Sequence, residues 1–372
     1  MRRVAVNMAS DDVPITGLDE LDAHLDNLLE DPSLDIQRQL FDYVELQLTD
    51  SNTPALIPRL LPKITEILNV FQQDPAVLCS LAMRLLDPLA LTQVLSLASE
   101  DALVLAMRSP APSANLLSMA VLHKGARSPG DAAIIAVMKP LMTAFIAQWL
   151  GSPDVGVGEK GLRVLGDLLD TDCEARSQDT DDTSSSGQNG SNTVVATRKS
   201  RPPGQGLVWR RIFQDRDIYS LIMSYCSSHQ SSPPLDERQR TIAQGRLFRI
   251  LPRLAALNLA AVSRSEFADL HQQFSAASRN SESNDGLLQF AALHMIDRED
   301  TLLHLCLIDF FNDLVTTQAT LPYSAYRIDT LKALVRDATA HDPQLRGALS
   351  TLPERTEPEE AEELERFLRS IL

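Results

Sequence analysis

Along this chain, apolar residues recur at spacings of three and four, and no stretch alternates over the length of a strand. Leu18, Leu21, Leu25, Leu28 and Leu29 form one such stripe, and Leu40, Phe41, Val44 and Leu48 form the next. Ile57, Leu60, Leu61, Ile64, Ile67, Leu68 and Phe71 form a third. This spacing places the side chains on one face of an α-helix. The stripes are separated by short polar breaks that contain proline: Asp31-Pro32, Ser51-Asn52-Thr53-Pro54, Asp74-Pro75 and Ser109-Pro110-Ala111-Pro112-Ser113. Asp74-Pro75 has the chemistry of a helix start, with Asp as N-cap and Pro at the first helical position. Ser128-Pro129 opens a single long helix through Ile135, Met138, Leu141, Phe145 and Trp149, which Gly151 ends. Ser152-Pro153-Asp154 then starts the next.

Helix starts lie roughly 15 to 25 residues apart, so a helix pair takes about 40, the period of HEAT and armadillo units. The reading is therefore an all-α, ARM/HEAT-like helical-repeat solenoid. Composition agrees: aromatics are 5% of 372 residues, Leu and Ala dominate, and large β proteins lean on other residue types. Residues 1–14 read as a flexible N-terminus and 15–173 as N-terminal repeats. Residues 174–205 are polar, hold almost nothing that could enter a core, and read as a disordered insert. Repeats resume over 206–356, with Pro252 as a kink or break. The helix from Leu302 to Phe310 is apolar nearly all round and is expected to be central. Residues 357–372 form an acidic capping helix with Leu364, Phe367, Leu368 and Ile371 on one side.

The net charge is −16, which repels phosphates and argues against direct nucleic-acid contact. The four cysteines are far apart, so a reducing compartment is expected. No apolar run reaches the roughly 20 residues that span a bilayer. A signal peptide is not expected, because Asp11 and Asp12 precede any apolar region. Arg198, Lys199 and Arg201 form a small basic cluster that reads as solvated linker rather than a localisation signal.

Gly156, Gly158 and Gly161 spell GxGxxG, but they follow a helix where a dinucleotide site needs a strand. Close packing of small residues on a neighbouring helix is the better reading. His294, His304 and Cys306 fall on different faces or turns and make a poor metal set. No HExxH, GxSxG, SxxK or P-loop is present, so neither catalytic residues nor cofactors nor a metal are expected. Trp209 and Phe213 are four apart, the spacing of a core face, although Trp-Arg-Arg-Ile-Phe is also the composition of an interface hot spot. Arg210 and Arg211 are placed to pair with Asp215 and Asp217 or with a partner.

The runs LGSPDVGVGEKGLRVLGDLLDTDC and GLVWRRIFQDRDIYSLIMSYCS, with the insert between them, resemble fungal proteasome regulatory-particle assembly chaperones of the non-ATPase subunit 5 type. The fungal form also carries the label of a DNA mismatch repair protein. The resemblance is sharpest over residues 151–226. It implies a curved all-α solenoid that binds the C-terminal domain of one ATPase subunit of the 19S base, and through it further base subunits. The expected location is the cytoplasm, with the nucleus in addition, and the expected state before complex formation is a monomer. A scaffold in a mismatch repair complex is the alternative function. Asp154, Glu159, Arg163, Arg210 and Arg211 are the expected partner-binding residues, lining one contiguous surface where the two helices meet.

Overall fold

The computed structural model describes residues 15–174, 203–228, 235–275 and 285–372. Of these, 76% are helical, in 19 α-helices with no strand. The expectations for residues 1–14 and for most of the insert lie outside the described residues. Packing divides the chain into two units, Met1–Val121 and Leu122–Leu372. In the first run α1 (Leu18–Glu30), α2 (Arg38–Glu45), α3 (Thr53–Val70), α4 (Ala76–Leu86), α5 (Leu91–Leu97) and α6 (Glu100–Met107), with α7 (Pro112–His123) crossing the division. The second holds α8 (Pro129–Val137), α9 (Lys139–Gly151), α10 (Val155–Thr171), α11 (Leu207–Phe213), α12 (Arg216–Cys226) and α13 (Glu237–Ser263). It continues through α14 (Ala268–Phe274), α15 (Leu287–Gln289), α16 (Thr301–Ala319), α17 (Ala325–Thr339), α18 (Pro343–Ser350) and α19 (Pro358–Ile371). Helices pack on near neighbours in sequence, the arrangement of an ARM/HEAT-like helical-repeat solenoid.

In the first unit, α1 packs on α2 and α3, and α4 on α2 and α3. The stripe Leu21, Leu25 and Leu28 is fully buried, as are Leu60, Ile64 and Ile67 of α3. An acidic stripe on α1 meets a basic one on α3. Arg59 reaches Asp19 and Asp22, and Lys63 reaches Asp22 and Asp26. Burial works against the Asp22 charge, but hydrogen bonds from Lys63 and Arg59 hold its carboxyl below the ordinary value. The expected start of α4 is displaced by one residue: Pro75, not Asp74, is the N-cap, and Asp74 Oδ1 accepts from Ala76 N at 3.1 Å from the position before it.

In the second unit, α10, α13 and α16 lie side by side, and α9 and α12 pack behind them. The α13–α16 seam is aromatic: Phe248 and Phe310 have ring centroids 5.0 Å apart, and Phe310 meets Phe311 edge-on at 5.2 Å. Losing one such ring costs about 3–5 kcal/mol. Five aspartates are spent at helix starts in this unit. Asp154, Asp215, Asp236, Asp300 and Asp342 each accept a backbone N–H in the first turn of the helix they precede.

Three sequence expectations are corrected here. The long helix from Ser128 breaks at Met138 (φ −79, ψ 69) into α8 and α9, whose axes differ by 91°. Pro140 is the cause: it has no N–H for the Ala136 carbonyl four residues back, and its ring would clash there. Arg211 supplies the missing donor, its Nε reaching the Ala136 oxygen at 2.8 Å. Second, α13 runs through Pro252 and breaks instead at Asn258 (φ −154, ψ 84), whose Oδ1 accepts from Ala261 N at 3.0 Å and caps the last turn. Third, the insert ends earlier than residue 205. The buried Asp172 carboxylate accepts Gln205 N at 3.1 Å and Val208 N at 2.6 Å, and its carbonyl accepts Gly206 N at 3.1 Å. Asp172 thus caps α11 from the far end of α10. Gly204 lies against the Asp172 backbone, where a Cβ would come within 2.1 Å of its carbonyl carbon, and Gly206 adopts φ +67. The insert therefore divides the sequence but not the packing, since α10 and α11 share one unit.

Two outcomes are expected. Asp172→Ala leaves two backbone donors without an acceptor and lowers stability by about 2–4 kcal/mol, read as a urea midpoint shift. The second concerns His271, buried and 2.8 Å from the Tyr219 hydroxyl. Burial lowers its pKa from 6.5 to about 4, outweighing Asp285. A folded-state pKa below the unfolded one contributes stability that is complete above pH 6.5 and lost as pH falls toward 4, up to about 3 kcal/mol. His271→Gln should flatten that part of the stability–pH curve, and a curve identical to wild type would remove His271 as the cause.

Candidate functional site

The row α10–α13–α16 carries an open face of the second unit, distinct from a groove of about 520 Å³ lined by Trp209, Arg210, Phe213 and Asn258. It begins with α10, whose N-cap Asp154 accepts Val157 N through Oδ1 at 2.8 Å. The glycines of the GxGxxG run sit in the first two turns of this helix. Gly158 gives its space to a guanidinium: a Cβ there would lie 2.4 Å from Arg246 Nη2. Gly161 gives its space to the indole of Trp149, 2.5 Å from the same hypothetical atom. The glycines allow close helix packing and hold no phosphate-binding turn.

Arg246 is 8% exposed and fully engaged. Its Nη1 donates to the carbonyls of Trp149 at 2.5 Å and Leu150 at 3.4 Å, in the last turn of α9. Its Nη2 donates to the Asp154 carbonyl at 2.9 Å. A cation at a helix C-terminus satisfies orphan carbonyls and complements the dipole. Burial lowers the Arg246 pKa, with Asp154 and Glu159 opposing.

Above this buried layer lies a groove of about 380 Å³, walled by Val155, Glu159, Ile242, Phe248, Arg249 and Asp309. Glu159 pairs with Arg249 through both oxygens, and these hydrogen bonds lower its pKa. Gly245 opens the floor, since a Cβ on it would meet nothing within 4 Å. Val155, in the groove wall, is 74% exposed, and on α16, outside the groove lining, Leu302 is 62% and Leu305 47% exposed. The expectation that the Leu302–Phe310 helix is central holds for one face only. Leu303, Leu307, Phe310 and Phe311 are buried on α13, while Leu302 and Leu305 face outward. Asp309 and Asp313 are exposed at i and i+4 on the same helix, with no cationic partner among the described residues. Desolvation, then the Asp309 charge, raises the Asp313 pKa. Like charges so placed destabilise a helix by a few tenths of a kcal/mol.

The five residues expected on one surface fall into two groups. Asp154, Glu159 and the exposed Arg163 lie on the first half of α10, beside α13. Arg210 and Arg211 lie past its other end, where Trp209 Nε1 donates to the Leu169 carbonyl at 2.9 Å. Ten residues separate Glu159 from Leu169, about 15 Å along the helix. Arg210 turns back to the carbonyls of Gln205 (2.5 Å) and Gly206 (3.2 Å). Arg211 bonds Ala136 and, at 2.6 Å, Asp215, while Asp217 pairs with Lys139. Trp209 and Phe213 are buried and stacked at 5.4 Å, so their spacing marks core. His304 binds Asp342 at 2.8 Å, apart from His294. Leu302, Leu305, Asp309 and Asp313 were not among the expected site residues; their signal in the sequence is an apolar helix interrupted by two aspartates one turn apart.

No protein-family model matches the chain, and no curated protein matches it.

Paired substitutions test the assembly of the site. Gly158→Ala gains helix propensity of about 1 kcal/mol but must displace Arg246, and overpacking of this kind costs about 1–3 kcal/mol. Gly245→Ala gains the same propensity in open space. Thermal unfolding should show Gly245→Ala stabilised and Gly158→Ala unchanged or destabilised. Equal stabilisation of both would mean that Arg246 does not depend on the glycine slot.

Proposed function

We propose that the chain is a non-catalytic scaffold that holds a folded protein domain against the α10–α13–α16 face. The observation that carries this reading is the groove of exposed Val155 with Asp309 and Asp313, on a helix α16 that also leaves Leu302 and Leu305 exposed. Exposed aliphatic residues together with acids that lack a counter-charge suit a partner with apolar anchors and a basic surround. The resemblance over residues 151–226 gives the partner a chemical identity: the C-terminal domain of an ATPase subunit of the 19S base, held during assembly of the 26S regulatory particle. Occupying that domain would block premature docking sterically and needs no reaction. The net charge of −16 disfavours direct contact with nucleic acid.

The test uses the full chain carrying Gly245→Trp, which fills the groove where nothing stands in the way, and separately Asp309→Lys with Asp313→Lys. Affinity purification with mass spectrometry should return base ATPase subunits with wild type. Binding to the isolated ATPase C-terminal domain should weaken by at least about 30-fold in each variant, the scale of an interface hot spot. It should also weaken as salt rises through about 0.15 M, where charges are screened beyond roughly 8 Å. Recovery of mismatch-repair proteins without ATPase subunits, or undiminished affinity in well-folded variants, would overturn the reading.

A further inference from the structure

The first unit holds a second concavity, separate from the face just described. Helices α3, α4, α6 and α7 leave a groove of about 340 Å³, within the range of roughly 300–1,000 Å³ that binding sites occupy. Its walls are mostly apolar, with Leu61, Leu68, Leu103 and Leu117 among them and Asn69, Gln72 and Gln73 as polar members. The space exists because alanines, including Ala102, Ala106 and Ala114, line it where larger side chains would fill it. The apolar surface does not stop at the mouth. Leu97 and Leu105 stand on the rim, 49% and 66% exposed.

Charge selects the occupant. Residues 15–121 contain fifteen acidic and five basic side chains, a balance of −10 within a chain of −16. Four of the five cations are already committed. Arg38 pairs with Asp74, Arg59 with Asp19 and Asp22, Lys63 with Asp22 and Asp26, and Arg84 with the Leu48 carbonyl. Exposed acids lie next in sequence to wall positions: Glu66 follows Thr65, and Asp101 precedes Ala102. An apolar groove in so acidic a unit is matched by a helix that is apolar on one side and basic on the other. A second copy of the chain would bring its own negative charge to the contact. A small apolar ligand would fill the groove and leave Leu97 and Leu105 bare.

We infer that the α3–α4–α6–α7 groove is a docking site for a basic amphipathic helix of a partner protein, whose aliphatic side chains at i, i+3, i+4 and i+7 enter between Leu97 and Leu105. This site is independent of the ATPase-domain reading and stands or falls without it.

The probe is a labelled peptide of about 14 residues, roughly four helical turns, with leucines at those positions and lysines elsewhere. Its twin carries glutamates in place of the lysines. Fluorescence anisotropy with the full chain should show saturable binding of the lysine peptide, weakening with salt, and none of the glutamate peptide. Ala106→Trp fills the groove and should weaken binding at least tenfold with circular dichroism and melting unchanged. Leu105→Gln, at an exposed position, gives the same reading should the tryptophan disturb the fold. Equal binding of both peptides would overturn the inference, as would undiminished binding by folded Ala106→Trp and Leu105→Gln. So would a concentration-dependent dimer that Ala106→Trp abolishes, or an apolar dye that occupies the groove and resists displacement by the peptide.

Discussion

The second unit turns on one buried guanidinium. Arg246 collects the last carbonyls of α9 and the Asp154 carbonyl before α10, and it does so from the middle of α13. Three helices from different stretches of sequence are tied by hydrogen bonds that all have a charged donor, which are stronger than neutral ones. The tie requires a missing side chain, because the guanidinium lies where the Cβ of any residue but glycine at 158 would sit. Burying that charge is tolerable because carbonyl oxygens surround it and Asp154 and Glu159 lie close. With α10 fixed on α13 in this way, and α13 fixed on α16 by Phe248 and Phe310, the outer surfaces of all three helices become one face.

Asp172 and Arg211 follow the same logic of remote capping. Each satisfies backbone groups that a local break leaves orphaned, Asp172 at the start of α11 and Arg211 at the carbonyl that Pro140 cannot serve. Gly206 precedes α11 in a left-handed conformation and offers no side chain to cap it, so the cap comes from α10. The negative charge of the chain has two separable origins in this light. Part of it caps helices. Most of the net charge, −10 of −16, falls on residues 15–121, and further acids stand exposed on α16 and α19.

The helix ends around Gly151 and Asp154 were legible because capping chemistry is local: a side chain bonds an N–H two or three residues away. The core faces were legible for the same reason, since a period of three and four reports only the geometry of one helix. The break at Met138 was not, because the apolar spacing runs unbroken across it and a proline in the first turn of a new helix resembles one inside an old helix. That Arg210 and Arg211 meet the far end of α10 from Glu159 was not legible, because sequence proximity to a helix says nothing about which end of it a neighbour meets. Leu302 and Leu305 were read as buried because hydropathy does not distinguish a helix surrounded by protein from one with a bare apolar edge.

The sequence by itself determined an all-α repeat fold, the positions of most helices, the core spacing of Trp209 and Phe213, and the net negative charge. These depend on interactions within about one helical turn or on composition. Tertiary structure alone decided which helices lie side by side, that Gly158 makes room for Arg246, that Arg211 serves Ala136, and which acids and leucines are left facing outward together. Each of these depends on side chains brought together from residues tens of positions apart, and a one-dimensional pattern carries no record of which distant groups will satisfy one another.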